Sequence, residues 1–352
     1  MFRRAMTLIA AVVLLVGFGV AGAFLPVPYL VASPGVALDT LGESDGGEQV
    51  IQIDGTRSYE HEGELSMVTV QYAGGPGTRM DLFTVLGAWL SPSQAVLPQE
   101  ALFPPDQTVE EISESQTLEM NDSQMNATAA ALNELGVDYE TRAYVARVVE
   151  DMPAHGELRE GDVITEVDGE PVGDKDEAVE LVGDREPGDP VRLVLRRDGE
   201  TVRTELETTE NEEGDPVIGV LIADRMDFPI DVDISVGEIG GPSAGMMFAL
   251  GIMDRLSREG LTGGHDIAGT GTITPEGEVG GVSGVAQKMV SAERLGAEYF
   301  LVAEDSCAQT FDSAATGDIE VVRVADLGEA VAALETIRSG ENLDDLPRCT
   351  PQ

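Results

Sequence analysis

The chain has 352 residues, enough for two domains and an appendage. Its 65 acidic and 21 basic residues give a net charge of -44, spread along the sequence as a solvated acidic surface, which argues against nucleic acid or anionic headgroups as partners. Three dispersed histidines and two cysteines offer no metal-ligand spacing, so neither a metal nor a cofactor is expected. At the N-terminus, Arg3 and Arg4 precede an apolar run over residues 5–25 broken only by Thr7. At about 1.5 Å per residue it can cross a hydrocarbon core of roughly 30 Å. The positive-inside rule then puts the remainder outside the cytoplasmic membrane. We read residues 1–30 as a cytoplasmic tip and an uncleaved transmembrane anchor; the competing reading is a signal peptide cleaved after Ala21-Gly22-Ala23.

Pro26, Pro28, Pro34, Gly35, Gly42 and Gly46 punctuate the next stretch as an extended stalk. Residues 50–53 and 65–71 have β character, 82–90 reads as a helix, and Pro92, Pro98 and Pro104 break up the residues after it. Residues 31–131 are thus taken as stalk and early strands. Further on, residues 144–150 are β-like, Met152-Pro153-Ala154 makes a turn, and Gly161-Asp162 turns back into a strand carrying Val167. Asp174 caps a helix to residue 182, and residues 191–197 and 201–206 form a hairpin around Asp198-Gly199. A Gly-Asp turn alone joins strands in many folds. The phrase M-P-A-H-G-x-L-R-x-G-D-V-I-x-x-V-D-G, with this order of elements, resembles a bacterial PDZ domain over residues 132–209. The resemblance implies a module that takes an extended peptide as an added strand, its carboxylate held by backbone N–H groups. The groove is expected between strand 144–148 and helix 176–182, with Arg142, Ala143, Tyr144, Val145 and Ala178 as peptide-binding residues.

In the last third, Ile230, Val232, Ile234 and Val236 alternate with polar residues as a half-buried strand, and Met246, Ala249, Leu250, Met253 and Leu256 recur at helical spacing. Between them, the run G-G-P-S-A-G (240–245) forms a glycine-rich corner that presents Ser243 near a helix N-terminus, where free N–H groups would stabilise an oxyanion. A serine there can equally be a plain helix start. What distinguishes the two is a base. The chain has only two lysines, Lys175 and Lys288, against nineteen arginines, and Lys288 shares a helical stripe with Val285, Ala292 and Leu295. Burial on that face would lower its pKa toward a general base, a role arginine cannot fill; the alternative is a lysine whose head snorkels to water.

G-P-S-A-G, then T-G-T-I-T-P-E-G-E-V over residues 270–279, then Lys288, together resemble the proteolytic domain of the Lon family, serine peptidases with a Ser-Lys dyad. The resemblance covers roughly residues 216–334. It implies that Ser243 is the nucleophile, Lys288 the base and Thr270 the hydroxyl that orients the lysine. Gly241, Ser243 and Ala244 are the expected oxyanion-hole backbone. Gly240 stands where the family usually has Asp, and Ala286 where it often has a further lysine; neither touches the dyad.

The expected fold is therefore α/β (α+β): a Lon-type proteolytic domain at 210–340, built with the early strands, an inserted β-rich PDZ domain at 132–209, an N-terminal transmembrane helix and a tail at 341–352. Cys307 and Cys349, the only cysteines, suggest one disulfide tying that tail down. No Walker-type G-x-x-x-x-G-K-[ST] run occurs, so ATP is not an expected partner. The function expected is an ATP-independent, membrane-anchored extracytoplasmic serine endopeptidase acting on unstructured or membrane-proximal proteins, with homo-oligomerisation open. The alternative is a catalytically silent membrane-anchored PDZ adaptor.

Overall fold

The N-terminal apolar run forms helix α1 (Phe2–Phe24), of which Met6–Phe24 is long and apolar enough to cross a membrane. Leu25, the last residue of the expected run, lies outside the described residues. The computed structural model describes residues 2–24, 26–44, 46–78, 80–105, 107–211, 213–237 and 239–351. The chain divides into two compact units, one of residues up to Val137 together with those from Ile230 onward, the other Asp138–Pro229.

The first unit continues through β1 (Tyr29–Asp39), β2 (Ile51–Asp54), β3 (Glu64–Ala73), α2 (Leu82–Trp89), β4 (Ala95–Pro98) and the long α3 (Val109–Glu134). The sequence expectation had only a proline-broken stretch where α3 lies. Its start is set by a capping box: Thr108 Oγ1 accepts the Glu111 N–H, and the Glu111 carboxylate accepts the Thr108 N–H. The periodicity of α3 is weak because its buried positions include Ser123, Ala127, Thr128, Ala130 and Ala131 rather than a stripe of large apolar side chains.

The second unit contains β5 (Glu140–Val148), β6 (Val163–Val167), α4 (Lys175–Gly183), β7 (Pro190–Arg197), β8 (Glu200–Glu207) and β9 (Val220–Asp227). The five strands pair antiparallel in the order β9-β5-β6-β7-β8. Asp174 caps α4 by accepting the Glu177 N–H, and Ala178 and Val182 pack on Val145, Ile164, Leu193 and Leu195. The Gly161-Asp162 turn has a structural cause in the buried Asp162, which accepts the Arg159 N–H at 2.8 Å and two Arg197 hydrogen bonds at 2.7 Å. Burial alone would raise this carboxyl, yet Arg197 and the Arg159 N–H hold it below the usual range. The unit runs past the expected boundary at residue 209 because β9 pairs along the length of β5.

The first unit resumes with β10 (Asp231–Ile234), α5 (Gly245–Leu256), β11 (Asp266–Thr270), α6 (Val285–Leu295), β12 (Tyr299–Ala303), α7 (Cys307–Thr310), β13 (Glu320–Val324) and α8 (Leu327–Ser339). Its sheet has the order β13-β12-β11-β3-β1-β4, parallel through β3 and antiparallel beyond. Side chains alternate between its faces as the pleat requires. Leu65, Met67, Ile267, Leu301 and Ala303 join α5 and α8 in one core; Val68, Ala268, Phe300 and Val302 join α6 in another. Helices α5 and α6 therefore cover opposite faces of one sheet. The tail is joined to α7 by a Cys307–Cys349 disulfide with Cα atoms 5.3 Å apart. It closes a loop over a sequence separation of 42, which by chain entropy contributes roughly 2–4 kcal/mol. Cys349→Ser should therefore lower the urea midpoint of the first unit's unfolding and, because the unfolded chain loses its cross-link and expands, raise the m-value; an unshifted midpoint would show that the cross-link contributes nothing.

Candidate active site

The two helices that cover opposite faces of the sheet converge where β11 ends. Helix α5 begins at Gly245, and the loop before it carries Ser243. Helix α6 carries Lys288, which is only 3 % exposed, on its buried side. The Lys288 ammonium donates to Ser243 Oγ at 2.7 Å and to Thr270 Oγ1 at 2.9 Å. Thr270, the last residue of β11, donates its own proton to the Ser243 carbonyl at 3.0 Å, so its oxygen is left to accept from the lysine. Ser243, Lys288 and Thr270 are thus brought together in one hydrogen-bonded triangle. Among the described residues no carboxylate faces the lysine to offset its desolvation, and burial pulls its pKa from 10.5 down to about 8.

The loop holding Ser243 is braced on two sides. From β11, the Gly271 N–H donates to the Ser243 carbonyl at 3.0 Å, and Met246 returns its N–H to the Gly271 carbonyl. From α3, the Gln116 carbonyl accepts the Gly241 N–H at 3.0 Å and Ser123 Oγ donates to the Pro242 carbonyl at 3.1 Å. Sequence reasoning missed both α3 residues; the Thr108–Glu111 capping box was the signal that could have placed their helix. Two glycines of the run are required by geometry. Gly241 has φ of 89°, a left-handed conformation, and a Cβ at Gly245 would lie 2.8 Å from Ser123 Oγ.

This bracing revises part of the expected oxyanion hole. The Gly241 N–H is already committed to Gln116, so it is not a free donor, and Pro242 has no N–H. The Ser243 and Ala244 N–H groups have no partner among the described residues and remain for an oxyanion. The strand before the corner is also shorter than expected: β10 ends at Ile234 and a loop leads to Ser243. In front of the triangle lies a cleft of about 410 Å³, walled by Met67, Tyr72, Leu102, Gln116 and Ile239 beside Ser243 and Lys288. No histidine lines it. His61 does bond a buried aspartate, Asp254, at 2.8 Å, but at the far end of α5, some eleven residues or roughly 16 Å along the helix from Ser243.

The expected peptide groove needs correction. Strand 144–148 was to border it, but β9 already pairs there, with Tyr144 opposite Ala223 and Arg142 opposite Arg225. Ala143, Val145 and Ala178 are fully buried in the second unit's core and cannot touch a ligand, while Arg142 is engaged by Glu140 and Asp227. Of the sheet's two edge strands, β8 and β9, α4 packs next to β9. Leu221 on β9 and Val179 on α4 are the exposed apolar residues of those two elements, at 54 % and 57 %.

Comparison with known proteins agrees with both units. Residues 116–208 match the PDZ domain family model, and residues 224–334 match that of the Lon protease (S16) C-terminal proteolytic domain. Among solved structures, the PDZ domain of an SdrC-like protein from Listeria innocua is 32% identical over 23% of this chain and 92% of its own, with a TM-score of 0.22. That of an SdrC-like protein from Listeria monocytogenes is 28% identical over 23% of this chain and 85% of its own, also at 0.22. No curated protein matches the chain.

With only two lysines, the electrostatics can be read directly. In a sample labelled at lysine, two side-chain NMR signals are expected, Lys288 titrating near 8 and Lys175, bonded to Asp176, above the ordinary lysine value. The folded pKa of Lys288 lies below its unfolded value, so between about pH 8 and 10.5 the unfolded state binds more protons. The contribution of this group to stability therefore rises with pH across that window. Two signals both titrating above pH 10 would show that Lys288 is solvated.

Proposed function

As a chain that carries a Lon C-terminal proteolytic domain and a PDZ domain, the protein is a peptidase with a peptide-binding module, and we propose that it is an ATP-independent, membrane-anchored serine endopeptidase using a Ser243–Lys288 dyad. The observation that carries this reading is the 2.7 Å contact between Ser243 Oγ and a buried lysine that has no counter-ion among the described residues, held near a pKa of about 8. In its neutral form, Lys288 has a lone pair for the Ser243 proton. Ser243 Oγ then attacks a peptide carbonyl, and the developing oxyanion is met by the Ser243 and Ala244 N–H groups. The protonated lysine gives its proton to the leaving amine as the C–N bond breaks. Lys288 next takes a proton from water, whose hydroxyl attacks the acyl-enzyme; as the C–Oγ bond breaks, the lysine returns that proton to Ser243 Oγ and the acid is released. Thr270 is proposed as a positioning residue, its oxygen facing the lysine while its proton is held by the Ser243 carbonyl.

The absence of a Walker-type run supports ATP independence, so substrates would be unstructured or exposed segments. The α1 span with Arg3 and Arg4 before it supports an anchor with the catalytic unit outside the cytoplasm. The PDZ unit would recruit a peptide as an added strand on the free edge of β9. Oligomerisation remains open to the same reading.

Ser243→Ala should abolish peptide hydrolysis and labelling by a serine-directed probe. Lys288→Arg keeps the charge but not the base, and should lower kcat by about a hundred to ten thousand fold. In the wild type, kcat/KM should rise with pH through about 8, as neutral lysine accumulates. Normal turnover in the Arg variant would leave the dyad untenable, and absence of labelling in wild type would favour a silent adaptor.

The two modules should separate kinetically. Leu221→Asp on the β9 edge should raise KM for a protein substrate bound through the PDZ unit, with kcat on a short free peptide unchanged. Identical kinetics on both substrates would remove the recruiting role.

A further inference from the structure

Helix α2 is apolar on both faces. Val85 and Ala88 are buried with Val31 and Met80, which accounts for the inward face. The outward stripe holds the larger side chains: Phe83 is 51 % exposed, Leu86 41 %, Trp89 73 % and Leu90 79 %. A helix that turns its bulkiest apolar residues away from its own core, in a chain of net charge -44, has a second apolar medium to face. Charge is also withdrawn from this region: no ionisable residue occurs between Asp81 and Glu100.

What covers the stripe is indicated by its neighbour. Helix α1, the candidate span, ends against α2: Gly22 approaches the Phe83 ring so closely that a Cβ would lie 3.0 Å from it, and Pro26 bridges to Asp81 just before α2. The apolar stripe therefore begins where the span leaves the hydrocarbon. We propose that α2 lies in the outer membrane interface, its Phe83, Leu86, Trp89 and Leu90 side chains inserted at headgroup level, so that the catalytic unit is held against the bilayer at two points, α1 and α2. A tryptophan at that depth is the residue expected there, with an apolar ring body and a polar N–H. In the chain α2 stands between Tyr72 and Leu102, both in the wall of the catalytic cleft, so the element resting on lipid is tied directly to that wall. The substrates favoured are then segments emerging from the same membrane. The proposal rests on the reading of α1 as an anchor.

Trp89 is the only tryptophan in the chain, which makes the test direct. The full-length protein is reconstituted in phosphatidylcholine vesicles, with and without acyl chains brominated near the headgroup, and the vesicles are floated on a density gradient. Expected are co-flotation, a blue-shifted Trp89 emission and loss of much of that emission to the bromolipid. The double variant Leu86→Asp and Leu90→Asp should still float through α1 and cleave a free short peptide as wild type does, while losing the blue shift and the quenching. Protein that floats with unquenched, solvent-like emission overturns the α2 proposal and leaves the anchor standing. Blue-shifted but unquenched emission overturns it too, because a second protein copy rather than lipid then covers the stripe. Failure to float overturns the anchor reading and this proposal with it.

Discussion

The desolvation of one ammonium group is the constraint from which the catalytic unit is best understood. Lys288 sits on the inner stripe of α6 with two hydroxyls and, among the described residues, no carboxylate for company, so the protein stabilises its neutral form instead of its charge. That arrangement costs folding free energy at neutral pH, and only a rigid surround keeps water from relieving it. The sheet supplies the surround: α5 and α6 pack on its two faces and meet past the end of β11, where the strand's last side chain, Thr270, fills the gap between them.

The loop that carries Ser243 shows how far such positioning reaches. The Ser243 carbonyl is held by Thr270 and Gly271, and the two residues before it are tied to α3 through Gln116 and Ser123. Every group in that brace is neutral. In a chain so acidic, a carboxylate at any of these positions would draw the lysine back to its charged form, and hydroxyl and backbone partners avoid this. The same brace removes the Gly241 N–H from the proposed oxyanion hole, which leaves the Ser243 and Ala244 N–H groups as its proposed donors.

Recruitment is proposed to follow a different physical rule. A peptide adding to a sheet needs an edge with unpaired backbone groups, and in the second unit the edge beside α4 belongs to β9, a strand that lies well beyond the sequence phrase by which the module is recognised. With α2 on the bilayer and a peptide on β9, substrate would be gathered by main-chain pairing and by the membrane surface, neither of which reads a particular side chain.

Local sequence determined the Ser243–Thr270–Lys288 triangle and the class of each unit. Ser243, Thr270 and Lys288 fall in short motifs whose turn glycines and helical stripe are written in consecutive residues, and the strand-turn-helix order of the second unit is equally local. That α1 is long and apolar enough to cross a membrane was legible too, since this property depends on length and apolarity alone. Other features depended on partners distant in sequence. Whether the Gly241 N–H is free depends on Gln116, and whether residues 144–148 border a groove depends on which strand reaches them first. Helix α3 escaped notice because alanine, serine and threonine pack it closely without leaving an apolar period. Hydrogen-bond occupancy and strand order are properties of the assembled sheet, where each backbone N–H has one proton to give and each strand edge takes one neighbour, and for that reason only the tertiary structure decided them.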